Sequence, residues 1–245
     1  MRKVLAILYL IYAASIFILL MFIVLPFVLL ASALLRNETG KRMILFLLRC
    51  WAWAFSLCSF FWVKTINKQV INRQTPHIYV GNHGSYLDGV AVCISVPQHF
   101  SPLGKIEMTK VPIFGLIYKR IVVMIDRSSK ESREQSVAEL KKDIQKGQSI
   151  LIFPEGTMNK TDKPLSEFYD GAFRIAIETQ TPLLPFVMIN NRELLPRLEP
   201  LNAHPGLITT VFISPIAVKG LQLEDLPQLK QKVFDQMEEA ILKYS

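Results

Sequence analysis

The chain's 245 residues leave room for one ordinary domain and an anchor, and a 51% hydrophobic content with a mean hydropathy of +0.30 is high for a soluble domain. The formal charge of +8 suits nucleic acid, an acidic membrane surface or a phosphorylated substrate, so charge by itself selects none of them. Cys50, Cys58 and Cys93 form neither a CxxC pair nor a metal-ligand spacing, which argues against a disulfide framework and reads as reduced packing residues.

From Val4 to Leu35 no residue is charged, a run longer than the roughly 20 residues that cross a bilayer core. A cleaved signal peptide would have a shorter apolar region and a small-residue cleavage site, whereas this run passes Pro26 and ends at the basic Arg36. After a polar connector, 36–42, a second apolar stretch extends from Met43 to Val63. Arg49 is its single charge, and it is crowded with Trp51, Trp53, Phe55, Phe60, Phe61 and Trp62, a composition suited to the membrane interface. As one helix the first run would measure about 48 Å against about 30 Å of hydrocarbon, so it must tilt, kink at Pro26 or lie partly among headgroups. Two helices that both cross, or both dip in and return, leave the remaining chain on the side of the N-terminus. Arg2 and Lys3 assign that side to the cytoplasm, and Lys41 and Arg42 favour a monotopic pair over a full crossing. Asn37-Glu38-Thr39 would be a glycosylation site only in a secretory lumen.

Beyond Lys64 short apolar runs alternate with amphipathic segments. Ile78–Gly81, Ile121–Ile125, Ser149–Phe153, Leu183–Ile189 and Thr209–Ile213 are expected as strands, and 132–146 and Leu226–Lys243 as helices. The alternation predicts a single α/β domain over 64–245, with a central mostly parallel or mixed sheet flanked by helices, preceded by a two-helix anchor over 1–63. In such sheets ligands lie beyond the carboxyl ends of strands.

Directly after the first of these strands comes Gly81-Asn82-His83-Gly84-Ser85-Tyr86-Leu87-Asp88. If Ser85 caps a helix, Asp88 falls in its first turn and can accept from one ring nitrogen of His83, leaving the other to take a proton. Ser85 lacks the GxSxG spacing of a nucleophile elbow. A second turn, Phe153-Pro154-Glu155-Gly156-Thr157, again follows a strand. There Gly156 allows backbone N–H groups to approach an anion, and Glu155 can meet a substrate hydroxyl or a cation. Lys105, and Arg127 just past another strand, can meet a phosphate. No metal is demanded, since the spacing of His83, Cys93 and His99 fits no usual site, and His99 and His204 read as loop residues.

These blocks resemble the glycerolipid acyltransferases typified by 1-acylglycerol-3-phosphate acyltransferase. An NHxSxxD block is matched by Asn82, His83, Ser85 and Asp88, a block ending in Asp-Arg by Val123 to Arg127, and an FPEGT block by Phe153 to Thr157. The proline-bearing strand is matched by Pro182-Leu183-Leu184-Pro185; Lys105, Glu107 and 112–115 also look like family positions. The similarity runs from about Ile78 to Phe186, and the paired N-terminal helices fit bacterial members. The resemblance implies direct acyl transfer from an acyl carrier protein or coenzyme A thioester to a lysolipid hydroxyl, with no cofactor and no covalent enzyme intermediate. His83 is then the general base and Asp88 its orienting partner, with Lys105, Arg127, Glu155, Gly156 and Thr157 at the substrate. It implies a lysolipid acceptor, a place on the cytoplasmic side of the inner membrane, acyl carrier protein as a possible partner and no nucleic acid.

Two departures bear on the acceptor. Relatives usually continue FPEGT with Arg, where this chain has Met158, and often have Lys before Gly-Ala-Phe, where this chain has Asp170. Both remove positive charge, with Lys160 and Lys163 nearby as substitutes. A lysolipid without phosphate, such as an acylated amino acid, stays open as acceptor, and a catalytically silent membrane-surface protein stands as the non-enzymatic alternative.

Overall fold

A computed structural model describes residues 2–35 and 38–245; the sequon rests on Asn37, outside the described residues. The first apolar run is one helix, α1 (Arg2–Leu34), continuous through Pro26. Ala13, Met21, Val24, Val28 and Ala31 are buried, at the three- and four-residue steps that gather side chains on one helical face. Leu8, Ile11, Ile18, Phe22, Phe27 and Leu30 are exposed. A helix that is apolar all round and has protein on one side requires lipid on the other, so α1 associates the protein with a membrane.

The helix α2 (Glu38–Ser59) returns antiparallel to α1. Phe17 packs edge-on against Trp51 and Phe55, at 5.1 and 5.6 Å between ring centroids. The hydroxyls of Tyr9 and Tyr12 donate to the carbonyls of Ser59 and Cys58, both at 2.6 Å. The lone charge of this stretch, Arg49, faces protein: its Nη2 donates to the carbonyls of Val96 and Gln98 at 2.7 and 2.6 Å. At the start of the helix Glu38 accepts from Lys146 at 2.9 Å, and Lys41 lies 3.6 Å from Asp143. The start and the middle of α2 are thus fastened to the α/β part of the chain. Cys50 and Cys58 are exposed on it, which corrects the expectation that they pack inside.

The helix was expected to reach Val63 but stops at Ser59. Phe60 takes a left-handed φ of 60°, which ends the helix, and Phe61–Ile66 is a strand, β1. The expected boundary at 63/64 falls inside β1, so the helical hairpin runs into the sheet without a linker.

The chain continues through β2 (Ile78–Gly81), α3 (Asp88–Ser95), β3 (Phe100–Lys105), α4 (Phe114–Ile121), β4 (Val123–Ile125) and α5 (Lys130–Gln145). It ends with β5 (Ser149–Ile152), α6 (Gly171–Thr179), β6 (Leu183–Ile189), α7 (Asn191–Leu194), β7 (Gly206–Phe212) and α8 (Leu226–Tyr244). Strand order is β1-β7-β6-β2-β5-β3-β4, parallel throughout except between β6 and β7. β2 and β6 have the expected bounds. Ile121 belongs to α4 and not to a strand, and β3 was not expected.

Alternation along the strands makes three layers. Tyr79, Leu151, Leu184, Phe186 and Phe212 face the core shared with α1, α2 and α3. Ile78, Val80, Ile150, Ile152, Leu183 and Val187 face the core closed by α5, α6 and α8. Because β2 to β6 are mutually parallel, the turns that follow them collect along one edge of the sheet.

Candidate active site

His83 leaves the end of β2, and its Nδ1 lies 2.7 Å from Asp88 Oδ2. The same oxygen accepts from the backbone N–H groups of Gly84 and Ser85, at 2.8 and 3.0 Å, and Asp88 Oδ1 accepts from Asn191 Nδ2 at 2.6 Å. Asp88 is fully buried, with four donors converging on its two oxygens. With Nδ1 committed to Asp88, the proton-accepting position of the ring is Nε2. The imidazole is 25% exposed and stacks on Phe153, 4.5 Å between centroids and 15° from parallel, so it is oriented by an aromatic face and still reachable.

The geometry corrects the expected role of Ser85. α3 begins only at Asp88, with Leu87 before it. The Ser85 hydroxyl accepts from Leu87 N–H at 3.3 Å and donates to the Leu195 carbonyl at 3.1 Å, so it shapes the turn and does not cap the helix. Gly84 is required here because a Cβ would lie 2.3 Å from the Arg192 side chain.

The second turn grips the first. Glu155 Oε1 accepts from His83 N–H at 2.7 Å, and its Oε2 accepts from the N–H and hydroxyl of Ser166 at 2.9 and 2.7 Å. Asn159 N–H donates to the His83 carbonyl at 2.7 Å. Both oxygens of Glu155 are thus taken up within the protein, where a substrate contact had been expected. Burial pushes its carboxyl above the usual range, against the pull of these bonds. Gly156 has φ 69°, and a Cβ there would lie 2.6 Å from Arg127 Nη1 and 2.8 Å from the Tyr169 ring. Its own N–H donates to the Phe153 carbonyl at 3.0 Å, so Gly156 admits the guanidinium instead of offering a free amide.

Lys105 ends β3 and pairs with Ile125, the last residue of β4, and Arg127 follows two residues beyond it. Arg127 stands 5.8 Å from the centroid of Tyr169. The Lys105 ammonium is held below its ordinary value, first by partial burial and then by the charges of Arg127, Arg197 and Lys160, with Glu107 opposing. Thr157 Oγ1 accepts a long 3.4 Å bond from Arg197 Nη1. Asp170 pairs with Lys230 of α8 at 2.6 Å. Among the described residues no group of three or more His, Cys, Asp or Glu could hold a metal.

Sequence reasoning missed Asn191, Ser166 and Arg197, which arrive from remote turns without a local motif. It also missed the role of Asn82, whose amide pairs with the N–H and carbonyl of Met188 at 2.7 and 3.0 Å and seats the turn beside β6.

The acyltransferase family profile matches residues 62–189, more than half of the chain. The chain belongs to the acyltransferase family. It is 33% identical over 154 residues to 1-acyl-sn-glycerol-3-phosphate acyltransferase of Cocos nucifera, covering 62% of this chain and 49% of that one. To the protein of the same name from Haemophilus influenzae it is 29% identical over 168 residues, covering 67% and 68%. To the alpha form from Mus musculus it is 28% identical over 160 residues, covering 64% and 56%. The match thus spans about half the length of the coconut and mouse proteins. The crystal structure of the 1-acyl-sn-glycerophosphate acyltransferase of Thermotoga maritima shares the fold, with a TM-score of 0.83 over 100% of this chain and 99% of that chain at 23% identity.

Proposed function

We propose that this family member transfers a fatty acyl group from an acyl carrier protein or coenzyme A thioester to the 2-hydroxyl of 1-acyl-sn-glycerol 3-phosphate, giving phosphatidic acid. The observation that carries the reading is the dyad: His83 Nδ1 bound to a buried, four-fold coordinated Asp88, with the ring partly exposed at the end of a parallel strand. The names of the relatives supply the acceptor and the kind of transfer.

In this reading the acceptor hydroxyl donates to His83 Nε2 and loses its proton there as its oxygen attacks the thioester carbonyl. The Asp88 carboxylate stabilises the imidazolium that forms. Collapse of the tetrahedral adduct breaks the carbon–sulfur bond, and the imidazolium returns its proton to the departing thiolate. A positioned base of this kind contributes roughly 10²–10⁴-fold. Glu155 is a positioning residue for His83, Gly156 and Thr157 shape the turn, and Lys105 and Arg127 hold the acceptor phosphate. The lipid-facing side of α1 and the hairpin's attachment along the domain bring the lysolipid to the site from within one leaflet. Arg2 and Lys3 favour the cytoplasmic face of the inner membrane.

The test is thiol release by purified protein in detergent micelles, with acyl-coenzyme A and acyl carrier protein as donors and a panel of lysolipids as acceptors. Acceptor-dependent release with lysophosphatidate is expected. Release only with phosphate-free lysolipids would overturn the acceptor, and none with any acceptor would favour the silent surface protein.

A further inference from the structure

We propose that Arg197, on the segment between α7 and β7, is a headgroup-binding residue that supplies to the acceptor phosphate the guanidinium that position 158 lacks. The inference rests on the reading of the acceptor as a phosphate-bearing lysolipid.

Arg197 is half-buried, and its Nη1 donates to the Met158 carbonyl at 2.7 Å as well as to Thr157. The next residue, Asn159, donates its N–H to the His83 carbonyl. The guanidinium is therefore fastened to the strand of backbone that holds the base, within reach of the headgroup of a lysolipid bound there. Only Nη1 is engaged. Among the described residues Nη2 and Nε have no hydrogen-bond partner, and that free edge presents two parallel donors of the spacing that suits two phosphate oxygens.

The surrounding charge is one-sided. Lys105, Arg127, Lys160 and Arg197 converge on this turn, and among the described residues none of them has a carboxylate within ion-pair distance. Glu107 is the one acid whose charge reaches Lys105. Asp170, which might have neutralised the cluster, is paired with Lys230. Four cations brought together with Glu107 as the one acid acting on them, and no ion pair among them, repel one another, and a dianionic monoester relieves that repulsion in a way a neutral or zwitterionic headgroup cannot. The phosphate could in principle come from the donor's phosphopantetheine arm; the link to His83 through Asn159 and Met158 favours the acceptor.

The experiment measures steady-state kinetics of full-length protein in micelles, varying lysophosphatidate and acyl donor separately, for wild type, Arg197→Met, Arg197→Lys and Arg197→Met combined with Met158→Arg. The expected result is a KM for lysophosphatidate raised about 10–100-fold in Arg197→Met, with kcat much less affected, and an intermediate rise in Arg197→Lys. The double variant should recover part of the loss, which a strut for the turn would not do. A raised donor KM with an unchanged acceptor KM would overturn the assignment, as would loss of kcat alone without rescue by the double variant. If wild type does not acylate lysophosphatidate at all, the acceptor reading fails and this inference with it. If wild type does and Arg197→Met keeps its acceptor KM, the inference alone fails.

Discussion

The backbone N–H of His83 donates to Glu155 Oε1 at 2.7 Å, so the proposed base is positioned by a carboxylate 72 residues away in the chain. Glutamine at 155 would turn an NH2 group toward the N–H of either His83 or Ser166, leaving a buried donor without an acceptor. Such losses cost about 1–3 kcal/mol, so Glu155→Gln should lower kcat about 5–150-fold with little change in acceptor KM. Because burial raises this carboxyl in the folded state, its stabilising contribution is present below the ordinary carboxylate range and lost as pH rises through the raised value. The stability difference between wild type and the glutamine variant, read from thermal unfolding, should therefore shrink as pH rises through that window. A raised KM with kcat preserved would place Glu155 at the substrate instead.

Asn191 Nδ2 donates to Asp88 Oδ1 at 2.6 Å, and Asp88 has no solvent to replace it. Removing the amide in Asn191→Ala should reduce kcat by about tenfold or more, and Asn191→Asp should do greater harm by setting a second carboxylate against the first. Asp88→Asn, which can no longer present acceptors to all four donors or stabilise the imidazolium, should fall further, by at least about 100-fold. Equal activity of Asn191→Ala and Asn191→Asp in the same assay would contradict this electrostatic role.

Lys105 is held below its ordinary value by burial and by its cationic neighbours. It therefore loses its proton at a lower pH than an ordinary lysine, and the KM for lysophosphatidate should begin to rise on the alkaline side before the usual lysine range. Lys105→Arg keeps its charge there and should remove the rise. An alkaline KM profile identical in the two proteins would mean that Lys105 does not touch the anion.

Arg49 ties the anchor to the domain through two carbonyls. Arg49→Leu should cost about 2–3 kcal/mol, since it leaves the Val96 and Gln98 carbonyls without this donor. For a chain of this size that lowers Tm by roughly 5–10 °C in detergent. An unchanged Tm would mean that α2 is held by its apolar face alone.

The contact between His83 and Asp88 was legible because both lie in one short segment after a β-branched strand, where local spacing decides contact. Asn191, Ser166 and Arg197 were not, because each reaches the site only through the sheet's crossover connections. β1 was hidden by composition: Phe60, Phe61, Trp62 and Val63 prolong the apolar character of α2, and the change in period from helical to strand occupies too few residues to stand out. β3 was hidden by the opposite effect, since Ser101, Pro102 and Gly104 interrupt its apolar run while pairing with β5 and β4 on its two sides supplies the order. The cysteines of α2 misled because a residue in an apolar helix can face lipid as readily as protein.

The most direct measurement is single-turnover thiol release from acyl donor in the presence of lysophosphatidate, comparing wild type with His83→Ala in matched micelles. With His83 as the base the variant should be slower by about 10²–10⁴-fold, while its micelle association, set by α1 and α2, stays as in wild type. Turnover within about tenfold of wild type would contradict the dyad mechanism and leave His83 as a residue that shapes the turn.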